Sequence, residues 1–351
     1  MTGRECDAIA LFMHYPLRLT LDSAALQANW RWLQGHTGAE AGAAVKADGY
    51  GLGARETVAA LAEAGCRTFF VSTWAEAEAL GPLPTGAELV VLHGVGPDDA
   101  AAGYARPVLN SIEQVARWKE IAPGRPCDAM VDTGMNRLGL RVEEIGALEG
   151  LAIDTVMSHL ACADEDSAMN AAQLERFRAV TGAVPARRYS LANSAGICLG
   201  RDYSFDLVRP GLSLYGGIPR REAEGAIRQV ARVEAQVVQR RTIRAGESCG
   251  YGATFVAEAD TPAIILNIGY ADGYLRGFSS RGSAFAREFT LPVLGRVSMD
   301  LIAVGCEVAP DLKEGDWVEL DYNLPEAAAA SGLSQYELLT TLGSRFERRW
   351  A

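Results

Sequence analysis

In LRLTL, residues 17–21, three leucines alternate with Arg18 and Thr20, the period of a strand with one covered face. Directly after it Leu26, Trp30 and Leu33 recur at helical spacing, and Ser23 stands where a helix cap is expected. From there short apolar runs alternate with helical patterns. Strands are predicted near 42–45, 68–71, 89–92, 107–109, 129–131, 155–157, 189–191 and 207–208, with helices between them at 55–64, 113–120 and 171–180, among others. Strands alternating with helices predict a parallel sheet, and eight repeats in so short a span suit a closed (β/α)8 TIM-type barrel better than an open doubly wound sheet.

The pattern changes near residue 220. Residues 228–243 alternate apolar and polar positions, and further short runs follow at 264–268, 292–297, 302–304 and 317–320, separated by Gly, Asp and Ser turns. The expected organisation is an α/β barrel domain over 1–220 and a mostly β domain over 221–351. The strand at 17–21 precedes the first repeat and is a candidate to join the second domain.

With 351 residues, about half of them hydrophobic, the chain has material for more than one core. A net charge of −11 without a long basic run argues against nucleic acid or an anionic membrane as partner. Small molecules or a second copy of the chain remain. The seven cysteines are scattered and show no CxxC spacing, which argues for a reducing compartment and against a disulfide frame or zinc cluster. The apolar run at 8–13 is too short for a signal peptide, and nothing approaches the 18 or so apolar residues of a membrane helix. A soluble, cytoplasmic protein is expected.

In a barrel the active face lies past the C-terminal ends of the strands. Lys46, Arg137, His159, Asn193 with Ser194, and Arg209 with Gly211 all fall at such ends. A lysine held among small residues is partly desolvated, which lowers its pKa and favours the neutral, nucleophilic amine. Taken alone, Lys46 is as compatible with a side chain snorkelling on the rim. The glycines at 49, 51 and 53 and the hydroxyl of Tyr50 change that balance, because they let a ligand approach the backbone. At the last strand, VRPGLSLYG offers Arg209 and the amides of Gly211 and Leu212, and LANSAG offers the Ser194 hydroxyl, donors suited to a phosphate. An amine beside a phosphate cradle implies a phosphorylated aldehyde cofactor, with pyridoxal 5'-phosphate the leading candidate and no metal. Arg137 suits a carboxylate or phenolate oxygen. His159 has no second histidine at metal spacing and by itself reads as a structural group.

KADGYGLG, DTGMNRLG, SHLACADE, NSAG, VRPGLSLYG, CGYGATF, IGYADGYLRG and GRVSMD, in this order from Lys46 onward, resemble the motif series of the alanine racemase family, fold type III enzymes that use pyridoxal phosphate. The resemblance runs from Leu17 to the C-terminus. It implies that Lys46 is the covalent anchor of the cofactor and one of two bases, and that Tyr251 is the opposite base, contributed by the second subunit of a homodimer. It further implies that Arg209 faces the pyridine nitrogen with His159 in support, and that Tyr50, Asn193, Ser194, Gly211 and Leu212 hold the cofactor. Arg137 and Met299 would meet the substrate carboxylate, with Tyr270 at the entrance. The implied reaction is interconversion of L- and D-alanine, supplying D-alanine for peptidoglycan.

Racemases of broader or different specificity, for serine or basic amino acids, share the scaffold, as do non-catalytic pyridoxal-phosphate carriers; the carriers resemble the barrel alone. Two positions depart from the family pattern. Met130 stands where a lysine is often carbamylated and orients the arginine, so Arg137 is expected to find its counter-charge in a bound anion such as chloride or in a carboxylate from elsewhere. Trp350 stands where the family commonly ends in a phosphate-binding tyrosine, and it is left out of the expected site.

Overall fold

The structure, a computed structural model, describes residues 15–99 and 102–351. The apolar run at 8–13 and Cys6, weighed above for a leader segment and for redox state, lie outside them. The chain divides into two compact units, Ser23–Val230 and the stretch up to Asp22 together with Ala231–Ala351. The first strand, β1 (Leu17–Leu21), therefore belongs with the C-terminal strands. Helix Ser23–Thr37 begins at Ser23 itself, which is its first residue rather than its cap. The division falls ten residues beyond 220 because the following segment is still tied to that helix: Asn29 Nδ2 donates to the carbonyls of Leu214 (3.1 Å) and Arg228 (2.8 Å), and Arg228 N–H donates to Asn29 Oδ1.

The first unit is an α/β barrel. Its strands are β2 (Glu40–Ala41), β3 (Ala43–Ala44), β4 (Thr68–Val71), β5 (Glu88–Val91), β6 (Arg106–Leu109), β7 (Cys127–Asp132), β8 (Leu140–Arg141), β9 (Ile153–Met157), β10 (Arg188–Ser190) and β11 (Leu207–Val208). The parallel order is β3-β4-β5-β6-β7-β9-β10, with the short β8 beside β7. The circle closes through β11, which pairs with β2 while Asp206 N–H and Arg209 N–H donate to the carbonyls of Tyr189 and Ala192 beside β10. β2 and β3 form one strand bent at Gly42, where a Cβ would come within 2.8 Å of the Phe70 ring. Inside the barrel Phe70, Val90, Val108, Met130, Met157 and Leu207 pack together. Met130 is thus an apolar filler of the barrel interior.

Local chemistry sets the helix ends. Ser111 accepts from Gln114 N–H to start helix Ile112–Ile121, which buries Val115 and Trp118 one turn apart. Thr73 and Glu76 form a reciprocal capping box at the start of helix Trp74–Leu80. Helix Ala54–Ala64 ends at Gly65, whose φ of 115° needs glycine.

The second unit contains β12 (Ala231–Ile243), β13 (Ser248–Cys249), β14 (Phe255–Val256), β15 (Thr261–Leu266), β16 (Ser283–Ala286), β17 (Phe289–Leu294), β18 (Ile302–Gly305), β19 (Trp317–Leu320) and β20 (Glu347–Trp350). The sheet runs β15-β18-β17-β16-β19-β12-β1-β20, and β12 pairs with β15 as well, closing an antiparallel barrel. β12 serves three neighbours because the register shifts between Val237 and Gln239, a bulge that redirects the strand. Two helices, Leu324–Ser331 and Gln335–Thr340, accompany this mostly β unit. No helix among the described residues is long and apolar enough to cross a membrane, and the six described cysteines are all free.

The N-terminal ends of the barrel strands carry a charge network. Arg188 reaches Glu40 (2.9 Å), Glu88 (3.0 Å) and Asp154 (2.7 Å), and Arg106 reaches Asp128 (2.7 Å), Glu88 and Asp154 (3.2 Å each). Asp128 is fully buried, and burial pushes its carboxyl up to about 6 although Arg106 pulls it down. A carboxyl raised on folding stabilises the protein at low pH and loses that contribution as pH rises through its folded value. Asp128→Asn is therefore expected to gain thermal stability relative to the parent as pH rises from about 4 to about 6, and to hold that gain at higher pH. A melting-temperature difference that does not vary with pH would show instead that the Arg106 ion pair offsets the burial.

Candidate active site

Lys46 follows β3 directly, and the chain then makes a left-handed turn. Ala47 (φ 52°), Asp48 (φ 51°), Gly49 (φ 61°) and Tyr50 (φ 56°) all lie in the left-handed region, where only Gly49 is free of Cβ strain. The turn is held from several sides. Gly51 N–H donates to Ala47 O (2.8 Å), Ala54 N–H to Asp48 Oδ1 (2.9 Å) and Ala47 N–H to Glu76 Oε1 (2.9 Å). The glycine-rich turn is thus a tight, braced corner. Lys46 is half-buried, and burial, followed by the charge of Arg137, lowers its pKa, with Arg209 acting in the same direction and Glu76 against them.

Arg209, two residues past the start of β11, is only 7% exposed. Its guanidinium donates to Ser158 O (2.5 Å) and to Ser190 Oγ, and no carboxylate among the described residues pairs with it. Burial lowers its pKa to about 10, which leaves it charged at neutral pH. His159, expected to support Arg209, feels its charge, but the guanidinium donates its hydrogen bonds to Ser158 O and Ser190 Oγ. Burial and the charges of Arg209, Arg137 and Lys46 push His159 down to about 3, so its imidazole is neutral. Arg137 is exposed, and no carboxylate among the described residues forms an ion pair with it. That removes an internal carboxylate as its counter-charge.

Asn193 caps the short helix Ser194–Cys198 through Gly196 N–H (2.8 Å). Buried Ser194 Oγ accepts from Gly211 N–H (3.0 Å) and Ser213 N–H (3.2 Å), so this hydroxyl ties together the backbone of Gly211 and Ser213. The Ser213 hydroxyl is buried without a hydrogen-bond partner among the described residues. Tyr50 stacks on Tyr215 at 4.7 Å, and a Cβ on Gly211 would lie 2.1 Å from its hydroxyl oxygen.

Beneath the rim lie groups that sequence reading missed. Buried Gln173 donates to His159 O (2.9 Å) and Thr133 Oγ1 (3.3 Å) and accepts from Ala161 N–H (2.9 Å), while the Thr133 and Ser158 hydroxyls share a bond of 2.8 Å. Glu76 carried a readable signal, the T-x-x-E of its capping box. The others had none, since their partners come from remote loops.

Tyr251, Tyr270 and Met299 lie in the second unit. Tyr251 is 66% exposed, on a turn between Gly250 (φ 78°) and Gly252 (φ 73°). Tyr270 and Met299 are brought together, because Tyr270 N–H donates to Ser298 O and Ala271 N–H to Met299 O, each at 3.0 Å. Arg345 clamps the turn, binding buried Asp272 at 2.6 Å and Asp300 at 2.7 Å. Met299 itself is 52% exposed. Trp350 pairs with Leu21 as the last residue of β20, a strand role that accounts for its position.

Fold and site together define a barrel protein built around a desolvated amine on its C-terminal rim, with a second β-barrel unit. The chain belongs to the alanine racemase family: residues 21–219 match the alanine racemase N-terminal domain and residues 230–350 the C-terminal domain. It is 42% identical to an alanine racemase of Acidiphilium cryptum, over 96% of this chain and 99% of that one. It is equally 42% identical to a catabolic alanine racemase of Agrobacterium fabrum, over 95% of this chain and 91% of the relative. Among solved structures it resembles alanine racemase from Bartonella henselae with covalently bound pyridoxal phosphate, with TM-score 0.88 and 36% identity over 96% of this chain and 99% of that one.

Gly211→Ala is expected to force the Tyr50 hydroxyl out of place and destabilise the protein by about 1–3 kcal/mol, as overpacking does. Because the clash falls on the Tyr50 hydroxyl, Tyr50→Phe in the same chain should recover part of the loss. A double-mutant cycle by thermal denaturation measures the coupling, and strict additivity would refute the contact.

Proposed function

We propose that the chain is a pyridoxal-phosphate-dependent amino-acid racemase interconverting L- and D-alanine, acting in the cytoplasm as a homodimer. The observation that carries this reading is Lys46, a rim amine whose proton affinity is lowered by burial and by Arg137, in a chain 42% identical along its length to alanine racemases.

The residues present fit the cofactor. Arg209 is a buried cation with neutral partners, suited to a neutral acceptor such as a pyridine nitrogen. Ser213 Oγ is a buried hydroxyl without a partner among the described residues, close in sequence to the Gly211 amide, and Tyr50 packs against Gly211. These donors, with Ser194, Asn193 and Leu212, suit a phosphate dianion. Bound there, pyridoxal phosphate supplies an electron sink that acidifies the α C–H of an amino acid joined to it.

The protein's part is to hold and move protons. Lys46 Nζ exchanges a proton on one face of the α-carbon. Tyr251 Oη, from a second copy of the chain, does so on the other face; its own unit leaves this tyrosine uncovered. Arg209 keeps its proton at neutral pH, so it leaves the ring nitrogen unprotonated and weakens the electron sink, which disfavours side reactions. His159, held neutral, adds no further positive charge to the rim. Arg137 and the Met299 amide receive the substrate carboxylate, with Tyr270 beside Met299 at the entrance. Arg137 takes a small anion such as chloride as its counter-charge in place of the carbamate that Met130 cannot carry.

Incubated with pyridoxal phosphate and L-alanine, L-serine or L-lysine separately, the protein is expected to form D-alanine fastest. Tyr251→Phe should lower that rate about 10²- to 10⁴-fold, the usual contribution of a general acid–base group. D product from none of the three substrates would defeat the racemase reading, and D-serine or D-lysine formed faster than D-alanine would defeat the assignment of substrate.

A further inference from the structure

We propose that Glu76 is a positioning residue for Lys46: its carboxylate pins the Ala47 amide that follows the lysine and brings a negative charge to that corner. Glu76 stands at the third position of helix Trp74–Leu80, where its routine task is to close the capping box with Thr73. That task occupies Oε2 alone, which accepts from Ser72 N–H at 2.6 Å and Thr73 N–H at 3.4 Å. Oε1 leaves the helix end and accepts from Ala47 N–H at 2.9 Å. One carboxylate thus joins the loop after β4 to the corner after β3.

The place it holds is a strained one. Ala47 has a Cβ and a φ of 52°, a left-handed conformation that strains an L-residue. Without a fixed partner for its amide the corner could relax, and the Lys46 side chain would turn with it. The mirror-image brace, Asp48 Oδ1 to Ala54 N–H, holds the far side of the same turn.

Charge gives Glu76 its second role. The groups facing Lys46 from neighbouring elements are Arg137 after β7, His159 after β9, Arg209 after β11 and Glu76 after β4; Asp48 and Tyr50 belong to its own turn. Arg137 and Arg209 disfavour the ammonium, as burial does, and His159 is neutral. Glu76 is the group that favours it. A lysine that must both accept and return a proton needs such an opposing charge, since burial and two cations alone would leave it a weaker proton acceptor.

The test reads Lys46 directly. In the purified full-length protein, before cofactor is added, the pH dependence of Lys46 acylation is followed by mass spectrometry for the parent, Glu76→Gln and Thr73→Ala. Glu76→Gln is expected to shift the labelling midpoint to lower pH. Thr73→Ala breaks the capping box yet leaves the carboxylate, so it should lower the melting temperature and leave the midpoint in place. A Glu76→Gln midpoint equal to the parent's would reduce Glu76 to a helix cap and overturn the proposal. If Glu76→Gln fails to fold, Glu76→Asp, which withdraws the charge by one methylene, must shift the midpoint in the same direction; an unmoved midpoint overturns it equally.

The catalytic meaning of this role rests on the racemase reading, and the cofactor-loaded enzyme tests that part. Glu76→Gln should lower kcat and leave KM for L-alanine near its parent value. A shifted midpoint in a protein that racemises nothing would defeat the racemase reading and spare the brace. Racemisation with an unmoved midpoint would do the reverse.

Discussion

The barrel has to keep two cations, Lys46 and Arg209, out of water at one end without giving either a bonded carboxylate of its own. Burying a charge costs several kcal/mol unless it is paired, and the two ends of the barrel treat that cost differently. At the N-terminal ends of the strands, Arg106 and Arg188 are surrounded by Glu40, Glu88, Asp128 and Asp154, so charge is compensated inside the chain. At the C-terminal rim, Arg209 has a carbonyl and a hydroxyl, and Arg137 has no ion-pair partner among the described residues. The first end closes the fold, while the second retains uncompensated positive charge that an anionic ligand would neutralise.

Neutral groups keep Arg209 in place, and this choice has a chemical consequence. A carboxylate against Arg209 would lower the cost of burial but would also neutralise its field at the position of a bound ring. Serine hydroxyls and peptide carbonyls orient the guanidinium and leave its charge in effect. Gln173 extends the arrangement one layer down, since one buried amide binds the loops carrying Thr133, His159 and Ala161. Met130 suits the same frame. It packs against Phe70, Val90 and Val108 within the barrel, where a methionine needs no polar partner.

The repeat of strands and helices was legible because its signal is periodic, and the eight barrel strands lie within a residue or two of where apolar runs place them. The rim residues were legible for a related reason, as they follow strand ends in a fold whose active face is known. The left-handed corner after Lys46 was not, because Ala47 and Asp48 carry no mark of a conformation imposed from outside. Nor was the partnership of Glu76 with Ala47, which joins residues 29 apart. In the second unit β20, with the sequence ERRW, lacks an apolar alternation because it is an edge strand half open to solvent. β16, with the sequence SAFA, and the helix Leu324–Ser331 of that unit were not legible, since small residues interrupt their apolar pattern. Tyr251 and Met299 owe their place in the expected site to the family motifs alone, since an exposed tyrosine between glycines has no signal of its own.

The proposed reaction places an unusual constraint on an asymmetric site. Enantiomers have equal free energy in water, so the equilibrium constant is unity and kcat/KM must be the same in both directions. The two proposed bases, Lys46 and Tyr251, nevertheless differ, one an amine crowded by cations and the other a phenol on an exposed turn. The difference between them can appear only in kcat and KM separately, with compensating changes. Nor can the protein choose a direction of flux, whatever its sequence. A relative termed catabolic and one without that term are each 42% identical to this chain, as expected if biosynthesis and breakdown differ in what consumes the product and not in the catalyst. What the fold can select is which side chain fits at the α-carbon.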